Sequence, residues 1–278
     1  RKVACKWARN DVDLSLSVAE RASGVKAADR PIVPTWATYG VEMELCYPCD
    51  MEAVQQHFEG AEGVFGWNTK VDVSVKCRPP CKACEVNSPI LSGVEGLLSV
   101  RSACSVAAHL CCRTCKTGAV HVHIGIQDGG VWELQHLKQL AINFCAMEPL
   151  IDRLVPPSRR FDQNLYAKSL CQLFPSFQDA VLAINEAQSI DQLIKTINPG
   201  TDPDKGGRRY KLNFRALHKY NTVEWRLFGG SANASKITGC VLLATWFVHR
   251  SRSAMVSSPE MYNPQLRYNS QGSCHALV

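Results

Sequence analysis

The sequence predicts an α+β domain built on a mostly antiparallel sheet with helices packed on one side. Two observations carry that prediction. Three short stretches, Gly40–Leu45 (GVEMEL), His121–Ile124 (HVHI) and Thr222–Gly230 (TVEWRLFGG), alternate polar and apolar residues with the period of a strand. Between them lie longer segments whose apolar residues recur every three to four positions, the period of a helix. The order is strand, helix, strand, strand, helix, strand, helix, and then further strands and a closing helix. Such mixing without strict alternation points to α+β rather than to a parallel sheet.

Taken in order, residues 1–35 form a polar N-terminal extension with a short helix expected at Asp11–Ala22. Thr38–Cys46 is the first strand, and Asp50–Phe58 a short helix with Asp50 at its N-cap. Gly60–Gly66 is a turn. Trp67–Val75 alternates as a strand with Asp72 and Ser74 on one face. Lys76–Cys84 reads as a Pro/Cys loop, and Glu85–Leu91 as a strand stopped at Pro89. Gly93–Leu110 is an amphipathic helix, Gly118–Gly125 the central strand, and Asp128-Gly-Gly a turn. Val131–Leu154 carries helical apolar spacing from Leu134 through Leu137, Phe144 and Ile151 to Leu154, and Pro156-Pro157 ends it. Ser158–Leu170 is a polar connection. Phe177–Ala187 and Ile190–Ile197 are short helices, and Asn198–Arg208 is a loop. Tyr210–Leu217 and Thr222–Phe228 read as a strand pair joined near His218–Asn221, and Asn233–Ser251 as the last helix. The tail, 257–278, is rich in Pro, Asn and Ser. The main domain is thus expected over residues 36–256.

The chain has 278 residues, 46% hydrophobic and 20% charged, an ordinary globular composition. No apolar run reaches the roughly 18 residues of a membrane span. Arg1–Asn10 lacks the apolar core of a signal peptide, and a start on Arg is expected of a processed or trimmed product. A cytoplasmic protein without a membrane partner follows as the expectation. The net charge of +6 is mild and dispersed, where nucleic-acid binding would want a dense basic stripe. The basic cluster Lys205-Gly-Gly-Arg208-Arg209 fits nucleotide phosphates equally well, with Lys205 and Arg208 as contacts. Composition implies no oligomeric state.

The fourteen cysteines include Cys46-x2-Cys49, Cys81-x2-Cys84 and Cys112-x2-Cys115, with Cys77 just before the second pair. Buried free thiols in a reducing cytosol are the first expectation. Two C-x2-C pairs supplying four thiolates to a structural Zn²⁺ are the second, and disulfides in an oxidising compartment the third.

Side chains two apart on a strand share a face. Glu42 and Glu44 therefore share one, as do His121 and His123, and Glu224 and Arg226. Two acids side by side among apolar residues repel unless a cation lies between them, and hard oxygen ligands select Mg²⁺ or Mn²⁺. The plain alternative is an edge strand with a solvated face. The histidines can be structural, and Glu224 with Arg226 a simple ion pair. Yet Arg suits bidentate phosphate contact, and the Gly229-Gly230 pair behind it permits close backbone approach.

Five segments in this order, GVEMEL, W-x4-DVSV, EVNSPIL, HVHI and TVEWRLFGG, resemble the amidoligase family of carboxylate–amine ligases, relatives of γ-glutamylcysteine ligase and glutamine synthetase. Ser158–Tyr166 (SRRFDQNLY) and Tyr210–Asn213 (YKLN) are also similar. The resemblance implies a glutamine synthetase-like catalytic domain that forms an amide from a small-molecule or peptide carboxylate and an amine, using ATP and Mg²⁺ or Mn²⁺ through an acyl phosphate. By that resemblance Glu44 and Glu85 match ligands of the metal nearer the acceptor and the amine. Glu42, His121 and Glu224 match ligands of the metal bridging the ATP phosphates. Arg226 matches the arginine on the transferring phosphoryl group, and His123 faces phosphates or substrate. Asp72 matches a sheet acid. The chain departs from the family in the Cys-rich CRPPCKAC before Glu85, in Asn87 in place of an apolar residue, and in the residues before HVHI. Two other readings stand beside the ligase: a silent relative that only binds, and a His/Glu metallohydrolase.

Overall fold

The computed structural model describes residues 36–253 apart from 49, 60–63, 65, 128–129, 163 and 201–206. The N-terminal extension with its expected helix, most of the turn at 60–66 and the tail lie outside the described residues. The chain divides into two compact units, one built on residues up to Gly118 plus Gly230–Leu242, the other on Ala119–Gly229 plus residues from Leu243. Both are α+β with antiparallel strand pairing. No helix among the described residues is long and apolar enough to cross a membrane.

The first unit contains β1 (Thr38–Tyr47), α1 (Met51–Glu59), β2 (Asn68–Val71), β3 (Lys82–Asn87), β4 (Leu91–Ser92) and α2 (Gly93–His109). Strand β3 lies between β1 and β2, and β4 pairs with the start of β1. Asp50 caps α1 as expected, its carboxylate accepting from the Ala53 N–H at 2.8 Å. Alternation sorts the strands into two faces. Val41, Met43 and Leu45 of β1 and Cys84 and Val86 of β3 are buried, together with Val54 and Phe58 of α1 and Leu97 and Val100 of α2. Each such apolar side chain contributes about 1.5–3 kcal/mol on burial.

Two expectations shift here. The strand expected over Trp67–Val75 ends at Val71, because the Asp72 carboxylate accepts the Ser74 N–H at 2.7 Å and turns the chain. The strand carrying Glu85 begins at Lys82, inside the expected loop, because antiparallel pairing with Leu45–Tyr47 extends it.

Gly96 of α2 marks a close contact. A Cβ there would lie 2.4 Å from the Tyr39 hydroxyl and 2.9 Å from Leu91 Cβ. The buried Tyr39 hydroxyl donates to the Gly93 carbonyl at 3.1 Å. Alanine gains about 1 kcal/mol of helix propensity over glycine, whereas overpacking costs about 1–3 kcal/mol and the displaced hydrogen bond about 1 kcal/mol more. Gly96→Ala is therefore expected to destabilise the chain by about 1–3 kcal/mol in urea denaturation. An unchanged midpoint would show that Tyr39 yields without cost.

The second unit contains β5 (Ala119–Gly125), α3 (Leu134–Ile151), α4 (Phe177–Glu186), α5 (Ile190–Ile197), β6 (Leu212–Asn213), α6 (Ala216–Tyr220) and β7 (Thr222–Gly229). Helix α7 (Ala234–Ser251) begins in the first unit and ends in the second. Strand β7 lies between β5 and β6. Trp225 of β7 packs edge-on against Phe144 of α3 and Phe247 of α7, so helices cover this face of the sheet.

Helix α3 is shorter than its apolar period suggests. Glu133 and His136 form a capping box that starts it at Leu134, and Leu154 beyond its end is exposed. Pro149 inside it lacks an N–H, which frees the Cys145 carbonyl one turn back. The Cys171 thiol donates to that carbonyl at 3.1 Å. Ser176 and Ser189 cap α4 and α5. The strand expected at Tyr210–Leu217 is only two residues long. Phe214 donates its N–H to the Asn198 side chain, and the chain turns into α6. Asn221 closes α6 in the left-handed conformation that Asn tolerates.

Candidate functional site

In the first unit the acids stand on the face opposite the core. Antiparallel register places Glu44 of β1 directly opposite Glu85 of β3, and Lys70 of β2 opposite Glu85 in turn. The neighbouring row is Glu42, Asn87 and Asn68. Asn87, where an apolar residue was expected, is thus a polar member of this face. Lys70 Nζ lies 2.6 Å from Glu85 Oε1. Glu44 is 8% exposed. Two carboxylates opposed across a strand pair repel, and the Lys70 ammonium lies beside them. Asp72 is half-buried in its turn and not on a strand face.

In the second unit the side chains converge on Glu224, which is 5% exposed. Its Oε2 accepts from Asn213 Nδ2 at 2.6 Å. Its Oε1 accepts from Arg226 Nη1. His121 Nδ1 lies 3.7 Å and His123 Nε2 3.9 Å from that same oxygen. The register explains the meeting. His123 stands opposite Glu224, and Asn213 stands opposite it on the other side. Between Val120 and Val122 the pairing shifts, so that Arg226 and Leu227 together oppose His121. Such a bulge re-aims side chains and is common beside functional sites. It also puts Phe228 on the same side as Trp225, with the two rings stacked at 6.1 Å. His123 is oriented by Thr222, Nδ1 to Oγ1 2.9 Å, and by the edge of the Tyr220 ring.

A second buried cluster, not singled out from the sequence, is linked to this one through the backbone of Lys211. Lys211 is fully buried, its Nζ 2.7 Å from Glu148 Oε1 and 2.8 Å from both Asp152 carboxylate oxygens. Glu148 also accepts the N–H groups of Leu170 and Cys171, and Asp152 that of Phe161. Burial alone would lower the Lys211 pKa, but the two carboxylates outweigh it and hold the ammonium above its ordinary range. Burial pushes Glu148 up, and Lys211 with its hydrogen bonds outweighs that and holds it below. Burial keeps Asp152 above the usual carboxylate range, with Glu148 adding to the rise. The Lys211 carbonyl accepts the Arg226 N–H at 2.8 Å, so this buried triad sets the backbone that presents Arg226.

Other candidates fall elsewhere. Lys205 lies outside the described residues, and Arg208 is exposed. Gly229 and Gly230 do allow close approach, but to the chain itself. A Cβ on Gly229 would lie 2.8 Å from Pro156 Cγ, and one on Gly230 3.0 Å from the Gly118 backbone. The expected free thiols are found at nine described cysteines, while Cys46 and Cys77 form a disulfide. Cys49 lies outside the described residues, Cys84 is turned into the core on the apolar face of β3, and Cys112 is buried whereas Cys115 is half-buried.

A family model described as "Putative amidoligase enzyme" matches residues 35–248. No curated protein matches the chain.

Proposed function

The chain belongs to the amidoligase family, and on that premise we propose that it is an ATP- and Mg²⁺-dependent carboxylate–amine ligase with a glutamine synthetase-like catalytic domain. One observation carries the reading: an amide, a guanidinium and two imidazoles gather around the buried Glu224 carboxylate. Of the five ligands assigned by family resemblance, Glu42, Glu44, Glu85 and Glu224 are carboxylates and only His121 is not, a donor set for Mg²⁺ or Mn²⁺. Glu42, His121 and Glu224 serve the ion at the ATP phosphates, and Glu44 and Glu85 the ion nearer the acceptor and the amine. The opposed Glu44 and Glu85 carboxylates fit a cation on electrostatic grounds. When bound, the ions neutralise the phosphate charge and ATP supplies the phosphoryl group.

The chain's own residues then do the positioning. Arg226 holds the phosphoryl group as its charge develops. His123, its ring fixed by Thr222, faces the phosphates or the substrate. Lys205 and Arg208 serve the phosphates from the basic loop. The acceptor carboxylate of a small molecule or peptide is phosphorylated, and an amine displaces the phosphate.

Calorimetric titration of a non-hydrolysable ATP analogue tests this first. Binding is expected with Mg²⁺ and not without it, followed by ADP release that needs both an acid and an amine. Absence of nucleotide binding with every divalent cation tried would overturn it. A second expectation concerns Lys70, whose ammonium competes with a cation for Glu85. Lys70→Met should leave stability within about 1 kcal/mol, since the lysine is 60% exposed. It should tighten Mn²⁺ binding measured by water-proton relaxation. Weaker Mn²⁺ binding would instead make Lys70 a supporting residue.

A further inference from the structure

Three cysteines from distant parts of the chain meet at the end of β1. The sulfurs of Cys46, Cys77 and Cys115 lie within 4.8 Å of one another. Cys46 is buried, and the other two are half-buried. Cys46 and Cys77 are joined as a disulfide, and Cys115 stands beside them as a thiol, 3.1 Å from the Thr117 hydroxyl.

The three segments are held together by bonds that involve no sulfur. Cys46 and Arg113 exchange both backbone hydrogen bonds at 2.7 Å. Lys76 N–H donates to Thr117 Oγ1 at 2.8 Å, tying the Cys77 segment to the Cys115 segment. Gly118 N–H closes a turn on the Cys115 carbonyl, and a Cβ on Gly118 would lie 3.0 Å from the Glu44 carbonyl oxygen. Reducing the disulfide therefore leaves the three sulfurs close. Around a tetrahedral zinc ion, with bonds of about 2.3 Å, sulfurs are about 3.8 Å apart, a spacing this cluster reaches with small side-chain adjustments.

We propose that Cys46, Cys77 and Cys115 form a site for a thiophilic divalent cation of the zinc class, opened by reduction of the Cys46–Cys77 disulfide. A thiol reductant supplies the two electrons and two protons and becomes a disulfide itself. Each of the three cysteines then releases its proton as its thiolate ligates the ion. Three thiolates leave a fourth position for water. Cys46 pairs with Ala83 in the row next to Glu44 and Glu85, so a bound ion braces the strand end that carries those acids. The site is separate from the Mg²⁺ ligands, and soft thiolates and hard carboxylates sort the two metals.

The test uses the full chain, reduced, freed of reductant without oxygen and titrated with Zn²⁺ against a chromophoric chelator and with Cd²⁺ for its thiolate charge-transfer absorption. The reduced wild type is expected to bind. Cys115→Ser should weaken Zn²⁺ by more than the roughly 10–100-fold that loss of a partner bonded to a metal ligand typically costs. The disulfide form should bind as weakly as that variant. Cys111→Ser, at a thiol outside the cluster, should bind like the wild type. Retained affinity in Cys115→Ser or in the disulfide form, or an equal loss in Cys111→Ser, overturns the proposal. The cadmium NMR shift of the wild type provides a check that needs no variant: a value typical of two sulfurs or fewer also overturns it.

Discussion

Replacing Glu224 by Gln is expected to remove Mg²⁺-dependent nucleotide binding and, with it, amide formation. The amide keeps the shape of the side chain and can still face Asn213, which donates to Oε2 at 2.6 Å. It loses the charge that a cation needs and that Arg226 engages. On the proposed reading a metal ligand and the partner of the phosphoryl-binding arginine are lost together, and removal of a transition-state arginine alone costs about 10³–10⁵ in rate. A loss of at least that order is expected in single-turnover ADP release. The guanidinium left behind is only 14% exposed, so some stability is also lost. Circular dichroism must therefore show the variant folded at the assay temperature. Glu224→Asp is the companion variant, because it retains the charge and should recover part of the binding. Full activity in Glu224→Gln would sink the assignment.

Lys211→Met is expected to be the most destabilising single change in the second unit. It leaves Glu148 and Asp152, both 2% exposed, as buried acids held by backbone N–H groups and, at Glu148, by the Ser169 side chain. Breaking a buried pair by removing one partner costs about 3–5 kcal/mol. At about 2–4 °C per kcal/mol for a chain of this size, the melting temperature should fall by on the order of 10 °C. The pH dependence follows from the directions of the shifts. The Lys211 pKa is raised on folding, so its contribution is fully present below about pH 10.4, the unfolded value, and is lost as pH rises through the folded value. The Glu148 pKa is lowered, so its contribution is present above about pH 4.3 and lost as pH falls through its folded value. Asp152 runs against Glu148, because its raised pKa favours folding in acid and that contribution is lost as pH rises through its folded value. The alkaline limb is thus the clean readout: urea midpoints of the wild type should decline above about pH 10.4, and those of Lys211→Met should lack that decline. Because the Lys211 carbonyl holds the Arg226 N–H, the variant should also lose activity below its melting temperature. Wild-type activity in a folded Lys211→Met chain would restrict the triad to a structural role.

The shared faces of the candidate site are legible in the sequence. Side chains alternate along a strand with a period of two, so Glu42 with Glu44, His121 with His123, and Glu224 with Arg226 could be assigned to shared faces from spacing alone. The helices were readable for the same reason with a different period, and the serines before α4 and α5 cap them as local chemistry requires. The strand ends differ from the spacing where a bond between a side chain and a backbone N–H overrides the alternation. Val71 ends its strand because Asp72 finds a closer backbone partner, and Phe214 leaves its strand to bond Asn198, sixteen residues away.

What the sequence by itself determined, then, is which residues share a face, which segments are helices, and the order of motifs that marks the family. Only the tertiary structure decided which acid faces which, how the bulge sets both Arg226 and Leu227 opposite His121, and which three of the fourteen cysteines meet. It also decided that Lys211 is buried between acids 59 and 63 residues away. The physical reason is one of range. Periodicity and capping act over one turn or two residues, whereas strand register, disulfide pairing and the neutralisation of a buried charge depend on partners that folding alone brings within a few ångströms.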